Sequence, residues 1–361
     1  FGTGTFDGGV ARWDGSTWTF LRYGINELVS DVAVLPNGNI VAAGHFTTVG
    51  HPPSVPASNI AVWTGAAWSA LGSGVNGDVQ HLDVLPTGQL VVGGKFTLAG
   101  GNAASNIAIW SGSAWSSLGS GVDNTVYDST TLSDGSLLVT GVFSTAGGTA
   151  ARTLARWNGA SWSALSFGFD DTVLALATMP NGDIIAGGNF HLAGSTAANR
   201  VARWNGSSWS PLASGLDGPI SAFAVLPGGD LVVGGLFQSA GGVPTSNIAR
   251  WNGSAWSPLG AGVNGEVKAL AVLPDGDLVA AGKFTSAGGL SANRIARWSN
   301  GQWSTLGQGF NHTVNCLAAT SDGVIFAGGS FSSSGSQALN SVARWDGSSW
   351  LPLSNGVSQF V

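Results

Sequence analysis

Apolar positions in this chain come in short runs, each closed by a turn that contains glycine. The stretch from Val267 to Gly307 shows one complete unit. "VKALAVL" (267–273) reads as a strand, and Pro274 with Asp275-Gly276 as the turn that ends it. "DLVAAGKF" (277–284) is a second strand, "TSAGGLSAN" (285–293) a loop, and "RIARW" (294–298) a third strand. An Asn-Gly turn then leads to "QWSTLG" (302–307), the fourth. These predicted strands are called A to D. X-Gly pairs, such as Asn181-Gly182 between A and B or Asn205-Gly206 between C and D, supply the positive φ of tight hairpins. Each unit is therefore expected to be an antiparallel meander. Strand B is apolar on both faces, as in Leu231-Val232-Val233, which suits a sheet covered on both sides.

The unit repeats. A first tryptophan stands at 13, 63, 110, 157, 204, 251, 298 and 345, with steps of 47 residues except the first, which is 50. A second follows five residues later each time, and the two series account for all 16 tryptophans. A fixed period in this range marks a propeller or a solenoid. The "GxF" end of strand B, and strands C and D, each occur eight times, but strand A only seven. The chain thus begins inside a repeat, at its strand B, and "GVSQFV" (356–361) is available as the missing strand A. The expectation is an all-β, eight-bladed β-propeller of four-stranded antiparallel blades, closed by N- and C-terminal strands that share one blade. Closure is preferred because an open ring leaves bare strand edges. The chain is then a single domain, 1–361. Blade one takes 1–28 plus 356–361, and the others span 29–75, 76–122, 123–169, 170–216, 217–263, 264–310 and 311–355.

"LVVGGKF" (90–96) and "LVVGGLF" (231–237) place a double glycine at the end of strand B, ahead of the paired tryptophans of strands C and D. This resembles kelch-type β-propeller repeats. The resemblance is closer to the kelch-like repeats of secreted bacterial proteins and of the fungal cortical polarity marker, with "GGxFxxAGG…NIARWxG…W". It covers nearly the whole chain. One departure is that the first aromatic, often Tyr in kelch repeats, is Trp in every copy here. The resemblance implies a propeller with strand A innermost and says little about activity, because propellers host many functions.

Composition narrows the class. The 57 glycines could signal disorder, but 16 Trp and 16 Phe belong to a folded, turn-rich protein. The net charge of −6, with three lysines and no basic run, excludes the electrostatic footprint of a nucleic-acid binder. The longest apolar runs are strand-length, so no membrane insertion is expected. Cys316 is alone, which rules out an internal disulfide and a multi-cysteine metal site. Scarce Lys, Cys and Met with abundant Gly, Ser, Thr and Ala point to an extracellular or cell-surface protein. The abrupt start at "FGTGTF" fits removal of an upstream leader or domain.

The tryptophans read better as wedges between blades than as sugar-stacking platforms, since large aromatics dominate core burial. Differences between repeats are more informative. One strand A column reads Asp31, His81, Asp128, Ala175, Ala222, Ala269, Cys316, then Gln359 if the ring closes as expected. The residues before it are Ser30, Gln80, Tyr127, Leu174, Ser221, Lys268, Asn315 and Ser358. With strand A innermost, Asp31, His81 and Asp128 approach the central channel together. Two carboxylates and an imidazole suit a channel cation or a polar ligand; otherwise they line a water-filled channel. Gln80, Tyr127, and His45 and Lys95 at the ends of strand B complete the candidate ligand-binding set.

No catalytic residue or resident cofactor is assigned. A copper–radical oxidase of the kelch kind would need more than Tyr23 and Tyr127. "DGSTW" (14–18) resembles a sialidase Asp-box but lacks a residue between Asp and Gly. A–B and C–D turns fall on one face of the disc, and the longer, more varied B–C and D–A connections on the other. The preferred function is a non-catalytic extracellular module that recognises a carbohydrate or protein surface through the B–C/D–A face. The alternatives are a structural module of a larger surface or envelope assembly and, third, a propeller hydrolase or lyase.

Overall fold

In the computed structural model, the described residues are 11–13, 18–20, 25–50, 54–165 and 168–353. They form seven four-stranded antiparallel sheets, each ordered A-B-C-D. In the second sheet the strands are Asp78–Val84, Leu90–Lys95, Ile107–Trp110 and Trp115–Ser117. The seven sheets, blades one to seven, run over residues 28–70, 78–117, 126–164, 173–211, 220–258, 267–305 and 314–352. Strand B is buried in each up to its last glycine, and His45 and Lys95, which extend it in blades one and two, are exposed. The A strands of neighbouring blades pack side by side around the axis, and that of blade one meets that of blade seven.

This corrects the expected count of eight blades. Among the described residues, the first copy of the tryptophan phrase contributes two paired strands, Ala11–Trp13 with Trp18–Phe20. The proposed closing strand, 356–361, lies outside the described residues. The ring closes without either. Trp68 Nε1 of blade one donates to the carbonyl of Leu353 after blade seven at 3.2 Å. Asn315 Nδ2 of blade seven donates to the Val29 carbonyl at 3.1 Å. A Cβ at Gly328 of blade seven would stand 2.6 Å from Val29 Cγ1, just as one at Gly93 would stand 2.5 Å from Val126 Cγ1 across the blade two–three junction. The seam is packed like any other junction, so no place remains for an eighth blade.

The tryptophans join the blades. The second of each pair is mostly buried, and six of the seven described donate Nε1–H to a leucine carbonyl at the end of the preceding blade, Trp115 to Leu71 and Trp256 to Leu212 among them. In blade four, Trp209 Nε1 has no partner among the described residues, and its ring packs edge-on against Phe169 at 4.9 Å. The first tryptophan of each pair leans on the second, with ring centroids 5.2 to 5.6 Å apart. The arginine before it turns to the A–B turn: Arg156 pairs with Asp134, Arg250 with Asp230, and Arg297 with Asp275 and Asp277.

The B–C loops are less free than their sequences imply. Each carries a short hairpin, such as Leu98–Ala99 with Asn102–Ala103 in blade two. The D–A connection beneath it holds that hairpin through one Asx side chain. Asn76 Oδ1 accepts the N–H groups of Thr97 and Leu98 at 2.9 and 2.8 Å. Asn26, Asp123, Asp170, Asp217, Asn264 and Asn311 repeat this clamp in the other blades. Loops of varied sequence thus share one repeated clamp.

Candidate functional site

Every strand A carries a β-bulge at the same place. The A–B register slips between Val29 and Asp31 in blade one, and at the equivalent step in all the others. The extra residues are Ser30, Gln80, Tyr127, Leu174, Ser221, Lys268 and Asn315. A bulge re-aims side chains, so the bulged residue and its successor both face the channel. The double-glycine signal belongs to this feature. A Cβ on Gly94 would lie 2.2 Å from the Asp78 carbonyl oxygen, so only glycine lets strand B approach the bulged strand A.

These residues line one cavity of ≈ 310 Å³ on the axis. They sit early in strand A, so the cavity belongs to the half of the channel nearest the B–C/D–A face. Asp31, Gln80, His81, Tyr127 and Asp128 are all in its wall. His45 and Lys95 are not. Both are exposed at the ends of their B strands on the same face. His45 bridges two blades, with Nδ1 2.6 Å from Asp78 Oδ1 and Nε2 3.3 Å from Glu27 Oε2. The hydrogen bond to Asp78 is the main reason its pKa rises.

At the cluster, His81 Nδ1 stands 3.3 Å from Asp128 Oδ1 and 3.5 Å from Asp31 Oδ2, while Nε2 lies 3.0 Å from Ser129 Oγ. The side chains of His81, Asp31 and Asp128 are 14%, 20% and 19% exposed. Burial lowers the imidazole pKa, but Asp128, then Asp31 and Asp83, raise it further, to about 9. At neutral pH the ring is an imidazolium, and its Nε2–H donates to Ser129. Burial raises the Asp128 carboxyl to about 6, against the lowering effects of His81 and of the Leu176 and Ser129 N–H groups. Burial also raises Asp83.

Both carboxylates serve the backbone too. Asp31 accepts the N–H groups of Val32 at 2.8 Å and of Leu82, in the next blade, at 2.7 Å. Asp128 accepts those of Ser129 at 2.8 Å and of Leu176, again in the next blade, at 2.6 Å. Among the described residues, no group of three or more His, Cys, Asp or Glu side chains is placed to hold a metal ion.

The rest of the wall is different in kind. Leu174, Leu176, Ala222, Phe223, Leu270 and Leu317 bring apolar side chains, with Ser221 and Asn315 among them. Lys268 brings a cation, with Nζ 3.7 Å from Glu266 Oε1, and Lys283 holds the other oxygen of Glu266 at 2.8 Å. Phe223, the Leu176 N–H and Ser129 escaped the reading of the sequence. Their signal was present as positions one step beyond the polar column; Leu176 and Phe223 line the same cavity, and Ser129 stands behind it against His81.

Comparison with known proteins supports the architecture. Residues 220–359 match the family described as the Rax2 C-terminal β-propeller domain. No curated protein matches the sequence. Among solved structures, the chain is similar to the extracellular domain of a putative one-component system from B. thetaiotaomicron. The TM-score is 0.61 at 10% identity, over 90% of this chain and 39% of that one. The chain thus spans about two fifths of that structure. It is also similar to the WD40 β-propeller domain of Doa1, with a TM-score of 0.57, 16% identity, and coverage of 86% and 95% of the two chains. A streptogramin B lyase gives 0.56 and 11%, with coverage of 85% and 92%. These likenesses show a β-propeller and no more; the kelch resemblance stays a reading of the sequence. No helix among the described residues is long and apolar enough to cross a membrane.

Proposed function

We propose that the chain is a non-catalytic, extracellular binding module. It recognises a carbohydrate or protein partner through the B–C/D–A face, with the channel cavity as the point of discrimination. The cavity itself is the supporting observation: one site, on one face, built from residues that differ between otherwise repeated blades. The Asx clamps beneath the loops favour binding without rearrangement, which lowers the entropic cost of association. Both ring nitrogens of His81 are engaged within the protein, which suits a held charge better than a proton shuttle.

The test uses Gln80, Tyr127 and Lys268, whose side chains make no hydrogen bond to another blade's backbone among the described residues. The parent chain and a Gln80→Ala/Tyr127→Ala/Lys268→Ala variant are screened on a glycan array and against extracellular proteins. Binding that is lost in the variant at an unchanged melting temperature supports the reading. Binding that survives in full overturns it. A purely structural module is the second reading, favoured by the interblade bonds of Asp31 and Asp128. It requires that no partner be found for the isolated chain.

A further inference from the structure

The cavity is electrically two-sided. Its wall on blades one to three carries Asp31 and Asp128 around His81, with Asp83 close enough to act on both His81 and Asp128. Three carboxylates against one imidazolium leave that side negative. In a ring of seven, blade six lies across the axis from blades two and three. There Lys268 lines the cavity, and Lys268 and Lys283 share the single carboxylate of Glu266, which leaves that side positive. Between the two lie Leu176, Ala222, Phe223 and Leu270, with Ser221 among them.

Opposite charges that face each other across one concave site set up a field between them. A ligand of one sign would satisfy one wall and oppose the other. A ligand with both signs satisfies each and buries no net charge. The carboxylate oxygens point to the same choice. Each oxygen of Asp31 and Asp128 accepts one backbone N–H, and Asp31 Oδ2 and Asp128 Oδ1 also face His81 Nδ1; Asp31 Oδ1 and Asp128 Oδ2 each keep a lone pair that can receive an N–H donor from an ammonium. The volume of ≈ 310 Å³ stands at the small end of ligand pockets, which span roughly 300–1,000 Å³.

We propose that the channel cavity binds a small zwitterion, a free molecule of amino-acid size, with its ammonium group at Asp31 and Asp128 and its anionic group at Lys268. The inference rests on the reading of the channel mouth as a binding site. No bond forms or breaks; the ligand is held by charge-assisted hydrogen bonds and packs its stem on Phe223.

The experiment is isothermal titration of the full chain with glycine, β-alanine and 4-aminobutyrate. n-Butylamine and butyrate serve as single-charge controls and glucose as a neutral one. At least one zwitterion is expected to bind saturably, roughly tenfold or more tighter than either single-charge control, which is the worth of one charge-assisted contact. Lys268→Gln should abolish the preference over n-butylamine, and Asp128→Asn should weaken the preference over butyrate. Lys268 is partly exposed and makes its one ion pair among the described residues with Glu266, so its variant is expected to keep the fold, which its melting curve checks. Equal binding of 4-aminobutyrate and n-butylamine overturns the proposal, as does the absence of binding by all three zwitterions. If glucose or a glycan binds the cavity instead and the loss of Gln80 weakens it, this inference fails while the binding-module reading stands. If nothing binds, in this titration or in the partner screen, both fail.

Discussion

The carboxylate of Asp31, on blade one, accepts the backbone N–H of Leu82, on blade two, at 2.7 Å. Asp128 makes the same bond from blade three to Leu176 of blade four at 2.6 Å. Between them, His81 of blade two reaches Ser129 of blade three. Blades one to four are thus stitched along the channel by polar side chains. The column holds only Ala and Cys in blades four to seven. The residues that face the channel cavity there also hold the ring together.

Asp31→Ala is expected to lower stability by about 1–3 kcal/mol, because it strands the Leu82 N–H inside the channel wall. Asp31→Asn keeps an acceptor and should lose less. Urea denaturation of the two variants beside the parent measures the difference, and equal midpoints for Ala and parent would sink the latch.

The imidazole of His81 is raised to about 9 from an ordinary value of 6.5. A group raised on folding stabilises the fold fully below its unfolded pKa and loses that contribution as pH climbs through the folded value. Stability is therefore expected to fall between about pH 6.5 and pH 9, by on the order of 3 kcal/mol from this group. Asp128, raised to about 6, has the same sign in a lower window: its burial costs stability at neutral pH, and protonation below about 6 relieves it. His81→Gln removes the one cation from among the carboxylates. Its melting temperature should drop at pH 7 and recover part of the loss on acidification toward pH 4. A variant with the parent's pH profile contradicts this account.

Trp256 is buried, and its Nε1–H reaches the Leu212 carbonyl of the preceding blade at 3.1 Å. Trp256→Ala should cost about 3–5 kcal/mol, as truncation of a core aromatic does. Trp256→Phe keeps most of the packing and should cost about 1 kcal/mol more than a neutral change for the lost hydrogen bond. Thermal melts separate the two. Stability kept with glycan binding lost would instead mark the ring as a sugar platform.

Gly94→Ala places a methyl group 2.2 Å from the Asp78 carbonyl oxygen. The bulge must open to admit it, at a cost of about 1–3 kcal/mol. Gln80 and His81 move with the bulge, so ligand binding should weaken beyond what the stability loss explains. Titration at a temperature where the variant is folded checks this.

The seam between blades one and seven is packed without the Ala11–Phe20 hairpin. Removal of residues 1–20 should leave the melting temperature nearly unchanged. A marked loss would show that the hairpin supports the ring.

Strands, hairpin turns and wedge tryptophans were legible because each is a local pattern of side chains repeated every 47 residues. Asp31, His81 and Asp128 stood out for a related reason: in a repeat, the informative residue is the one that breaks the rule. The Asx clamps left a visible signal, an Asn or Asp after an apolar residue in every D–A connection. Their partners lie 21 and 22 residues ahead, at no position that sequence periodicity marks. The bulge left only its glycine, since one extra residue shifts a register without changing the composition of the strand.

The sequence by itself determined the meander, its turns, the buried B strand and the tryptophan at every junction, because hydrophobic period and turn chemistry act over a few residues. The tertiary structure decided the number of blades. Eight copies of a phrase do not require eight places in a ring; the angle and packing at each junction set how many blades close it, and seven meet without a gap. It also decided what faces the channel. Only the bulge, held open by a glycine on the neighbouring strand, turns two successive residues inward, and so brings Lys268 into the same cavity as Asp31, His81 and Asp128.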